Sequence, residues 1–169
     1  MSKKIEASAE EVDILPELAK GFNVYGIDGI FLKFKELDSK EHLPFLKRIY
    51  KEIHNATDSG YLKFSKGFLQ LINYNITDFS EEVQIEHINL LLSYKTVAKI
   101  KNFTALLAQF PSLTRLDISC QIKFIANLFE LAKATKNYEL LKYLPILNEE
   151  NVETILDKAF DIAISLKNL

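Results

Sequence analysis

Apolar residues recur along this chain at steps of three and four. Val152, Ile155, Leu156, Ala159, Phe160, Ile162, Ala163 and Leu166 keep that spacing, which predicts one buried helical face. Ile118, Ile122, Ile125, Ala126, Phe129 and Ala132 repeat it one helix earlier. Start signals stand where such periods begin. Ser8 with Glu11 and Asp78 with Glu81 have capping-box spacing, and Thr114 with Asp117 is a looser version. Gly21, Pro111 and Pro145 mark stops. The pattern predicts helices near 9–20, 29–37, 40–55, 61–75, 80–100, 103–110, 115–135, 138–144 and 149–167, with 21–29 as a loop. No proline- or serine-rich linker divides the chain, so one helical domain over 1–169 is expected. The predicted class is all-α: antiparallel helical hairpins stacked as an irregular α-solenoid.

A weak internal repeat supports the stack. Ala98-Lys99-Ile100-Lys101-Asn102-Phe103 resembles Ala132-Lys133-Ala134-Thr135-Lys136-Asn137-Tyr138 at an offset of 34 to 35 residues. Each is followed by a leucine pair (Leu106-Leu107, Leu140-Leu141) and then by a proline. The asparagine would cap a short second helix while the aromatic after it pins the turn. The tetratricopeptide signature is absent, and the chain has no tryptophan.

Composition agrees with helices. Among 169 residues there are 25 leucines and 18 isoleucines but only five valines, and glycine plus proline number nine. A chain of this length buries about 70% of its unfolded surface without a disulfide or metal staple. The single Cys120 excludes an internal disulfide and a cysteine-built zinc site, and it reads as a small buried hydrophobe. No apolar run spans a membrane and Met1–Ala7 lacks a signal-peptide core, so a cytoplasmic setting and no membrane partner are expected.

Recognisable chemistry is scarce. His42, His54 and His87 are too dispersed for a metal motif and read as surface or boundary residues. Gly26-Ile27-Asp28-Gly29 is no phosphate loop, because no Gly-Lys-Ser/Thr follows it. No Gly-x-Ser-x-Gly elbow is present. The sequence points away from catalysis, and no catalytic residue, metal or cofactor is assigned.

Charge is the one patterned feature. The net charge is −2, from 21 basic and 23 acidic side chains, far from the basic balance of a general nucleic-acid binder. Glu150, Glu153, Asp157 and Asp161 fall within about 80° of arc on the last helix, opposite Val152, Leu156, Ala159 and Ala163, with Glu149 flanking them. This stripe is read as a solvated face, as an acidic docking surface for a cationic protein or, least favoured, as a metal-binding carboxylate cluster, for which calcium would want loop carbonyls that are absent here. A basic segment of Lys33, Lys35, Lys40, Lys47, Arg48, Lys51, Lys63 and Lys66 is interleaved with Phe31, Phe34, Phe45, Tyr50, Tyr61 and Phe64. Those aromatics fall mostly at core spacing, which disfavours a nucleic-acid surface there.

In size, helicity and the Glu150–Asp161 stripe the chain resembles the immunity proteins of bacterial contact-dependent inhibition systems, a resemblance of type rather than of motif. It implies a cognate partner, a toxin domain that is often a basic nuclease, whose active site would be blocked. Glu149, Glu150, Glu153, Asp157 and Asp161 would then form the partner-binding surface, acting as phosphate mimics. The alternative is a regulatory or nucleic-acid-associated helical protein using the 33–66 basic face, or a helix-turn-helix near Thr96–Leu116.

Overall fold

The structure, a computed structural model, describes residues 26–108 and 115–143 together with 153, 157, 160, 161 and 164. Among them every element is a helix and none is a strand, so the fold is all-α. Between residues 26 and 135 seven described α-helices follow in order: α1 (Gly26–Glu36), α2 (Ser39–Asn55), α3 (Ser59–Tyr74), α4 (Glu81–Leu91), α5 (Tyr94–Lys99), α6 (Phe103–Ala108) and α7 (Ile118–Thr135). Two 3-10 turns accompany them, Ile76–Asp78 between α3 and α4, and Tyr138–Tyr143 after α7.

Helices form where an apolar stripe meets a usable cap. Phe45, Leu46, Ile49, Tyr50 and Ile53 bury one face of α2, and Tyr61, Phe64, Phe68, Leu69 and Ile72 bury one face of α3. The Asp58 carboxylate accepts the Tyr61 amide at 2.8 Å and opens α3. Packing runs chiefly between helices two or three apart in the chain: α1 lies on α3 and α3 on α6, while α2 lies on α4 and α4 on α7. One continuous set of buried hydrophobic side chains runs from Ile30 to Leu140.

Several expectations are corrected. The loop over 21–29 is helical from Gly26 onward, because Ile27 packs on the core. Its Cδ1 would lie 2.9 Å from a Cβ at Gly67, so bare backbone on α3 makes its seat. The cap of α4 is Ser80, whose hydroxyl accepts the Val83 amide at 3.3 Å, and not Asp78. Asp78 instead pairs with Lys35 at 2.9 Å. The helix over 80–100 is two helices. Ser93 caps the second, accepting the Thr96 amide at 3.4 Å while its hydroxyl donates to the Leu90 carbonyl at 2.8 Å. The segment near 138–144 is 3-10 over Tyr138–Tyr143.

The buried face of α7 is rotated from the expected one. Cys120, Phe124, Leu128 and Leu131 join Ile125, Ala126 and Ala132 inside, whereas Ile118 is exposed and Phe129 only half-buried. The helix is apolar over a wide arc, and its neighbour α4 chooses which part is covered. The 34-residue offset does recur in the backbone. Asn102 and Lys136, at matching positions, both hold φ 54° in the left-handed region. Phe103 after the first is buried, but Tyr138 after the second is exposed, so the aromatic pins only one of the two turns. The helix near 9–20, the Ser8–Glu11 pair, Gly21, Thr114, Pro111 and Pro145 lie outside the described residues.

Candidate protein-docking face

Positions 153, 157, 160, 161 and 164 are all helical and exposed. At 3.6 residues per turn they fall within about 100° of arc, so Glu153, Asp157 and Asp161 share a face with Phe160 and Ile164. Phe160 was expected on the buried face, yet it is 46% exposed. At 100° per residue it stands about 20° from Glu153 around the helix, beside the carboxylates. Glu149 and Glu150 lie outside the described residues.

The apolar part of this face is not isolated. The Phe160 ring lies on that of Phe129 in α7, with centroids 4.9 Å apart at 42°. Ile164, Tyr138 and Leu141 close a cleft of about 310 Å3 around that pair, with Glu130 and Lys133 also in its wall. Tyr138 is 64% exposed and Ile164 56%, so the cleft is a shallow apolar surface. Sequence reasoning found the carboxylates and missed the apolar half. Phe160 and Ile164 were open to the same arc arithmetic, whereas Phe129, Tyr138 and Leu141 come from elements joined to them only by tertiary packing.

The basic segment is resolved differently. Phe31, Phe34, Phe45, Tyr50, Tyr61 and Phe64 are all buried, so none offers a stacking surface. Of the segment Thr96–Leu116, residues 109–114 lie outside the described ones; among those described, α5 and α6 are six residues each and Phe103, Leu106 and Leu107 face inward, which leaves no exposed recognition helix there.

The histidines correct their expected positions. His87 is fully buried and His42 is nearly so, while His54 is half-buried. The Asn73 amide donates to the Leu106 carbonyl at 2.9 Å, which turns its oxygen toward His87. His87 Nε2 therefore donates to Asn73 Oδ1, and Nδ1 accepts the Tyr50 hydroxyl at 3.0 Å. This relay ties α2, α4, α3 and α6 together. Burial without any charged partner lowers the His87 pKa to about 3, so it is a neutral structural imidazole. Burial, with Glu81 adding its charge, pushes the Cys120 thiol up to about 11, which fits the buried hydrophobe expected there. No helix among the described residues is long and apolar enough to cross a membrane. No family model, curated protein or solved structure matches this chain.

Proposed function

We propose that the chain is a non-catalytic protein-binding module of the immunity or antitoxin type, which takes a cationic partner on its C-terminal helical face. The observation that carries this reading is the joint exposure of three carboxylates, Glu153, Asp157 and Asp161, with Phe160 and Ile164 on one arc. Protein interfaces combine an apolar centre, which supplies affinity, with charge that steers approach and rejects wrong partners. The half-exposed Phe160, stacked on Phe129, adds an apolar centre to the charged stripe. A basic toxin domain, with a cleft built for phosphates, has the complementary charge, and its block would be steric and electrostatic.

The test is co-expression with the product of the adjacent gene and capture from the native host at moderate salt. One stoichiometric basic protein should bind the wild-type chain and be lost on the triple reversal Glu153→Lys, Asp157→Lys, Asp161→Lys, with the helical circular-dichroism signal intact. Equal retention by the reversed chain would remove the face from the reading. Nucleic acid co-purifying without protein would replace the reading altogether.

A further inference from the structure

On another part of the molecule, where α3 begins beside the α5–α6 turn, four lysines line one cavity. Lys63, Lys66, Lys99 and Lys101 surround about 380 Å3 together with Ser59, Gly60 and Asn102. Among the described residues none of the four pairs with a carboxylate. A second cavity of about 520 Å3 shares Gly60, Lys63 and Lys66 and runs along α3 to Gln70. Like charges gathered around one cavity repel. Lys99 is held in place, since its ammonium donates to the Ala56 carbonyl at 2.8 Å across the α2–α3 turn.

Two further observations have the same sign. The first turn of the 16-residue α3 contains no acid, and its open amides at Ser59 and Gly60 belong to residues of the cavity wall. Asp58, the carboxylate before that turn, caps it by accepting the Tyr61 amide and sets one negative charge against the four lysines. Nearby, His54 has its pKa lowered, first by burial and then by the charges of Lys95 and Lys99. The region is a positive pocket that would be relieved by an anion.

We infer that this cavity binds a small anion carrying several phosphates, held by Lys63, Lys66, Lys99 and Lys101 at the start of α3. The volume suits a small molecule. A nucleic-acid strand fits less well, because Tyr61 and Phe64 on α3 are buried and offer no ring for a base. The site is independent of the acidic face, so its failure and the failure of the partner-binding reading are separable.

The experiment is calorimetric titration of the full chain with tripolyphosphate and, separately, with ATP, at low and moderate salt. Both should bind, weakening as salt rises, and the variant Lys63→Gln/Lys101→Gln should lose about tenfold or more. Lys40→Gln/Lys47→Gln, an equal charge change on α2, should keep wild-type affinity. No binding of either ligand, equal losses in the two variants, or binding of ATP alone would overturn the proposal. So would a thymidine oligonucleotide that binds far more tightly than tripolyphosphate. Unchanged thermal melts establish that the groove variant is folded.

Discussion

His87 shows how little of a residue's environment is written in its neighbours along the chain. Its partners Tyr50 and Asn73 stand 37 and 14 residues away. The dispersion that argues against a metal motif is the dispersion that lets it join four helices. The environment has a measurable consequence. The unfolded chain takes up a proton near the ordinary imidazole value of 6.5, whereas the folded chain resists it down to about 3. Between those values the unfolded state holds more protons, so stability falls as pH falls, by about 1.4 kcal/mol per pH unit for this one group. His54, lowered in the same direction, adds to the slope. Urea unfolding across that range should show the decline, and His87→Gln should flatten most of it. An unaltered slope in the variant would remove His87 as its source.

Caps decide matters at the scale of the element. Asp78 and Ser80 are both credible starts for α4, and sequence spacing favours the wrong one. Ser80 wins because the chain enters α4 through a 3-10 turn that already holds Asp78 beside Lys35. Ser80→Ala should therefore cost about 1 kcal/mol in a urea or thermal melt. Asp78→Ala should cost less than about 0.5 kcal/mol, since its ion pair is largely solvated. The reverse order would reinstate Asp78 as the cap. One device recurs in the two helices that pack together. Gln84 in α4 and Gln121 in α7 each fold back to the carbonyl just before the helix cap, on Phe79 at 2.8 Å and Leu116 at 2.7 Å. Nothing in the surrounding sequence advertises it, because the glutamine needs a backbone acceptor and the acceptor exists only once the turn has formed.

Across the whole molecule, charge is separated although the net is only −2. Acids with exposed apolar residues occupy the C-terminal helical face, and Lys63, Lys66, Lys99 and Lys101 gather where α3 begins. If Phe160 anchors a partner, Phe160→Ala should lower partner affinity tenfold or more. Its cost in stability should be about 1 kcal/mol, because the ring is only half covered. Titration of the partner alongside a thermal melt separates the two. A loss of stability large enough to explain the loss of binding would make Phe160 a packing residue.

The sequence by itself determined the helical class, most of the helix positions from 26 onward, and the burial of the aromatics between Phe31 and Phe64, because a 3.6-residue period and a cap are local properties. It also determined the exposed carboxylates at 153, 157 and 161, since a charged stripe opposite an apolar one has only one way to face. Tertiary structure decided what local order cannot hold. It chose which part of the broad apolar arc on α7 is covered, set Phe160 against Phe129, and drew Lys63 and Lys66 together with Lys99 and Lys101. Each of these joins residues from separate elements, and their distances are fixed only when helices that are not adjacent in the chain pack.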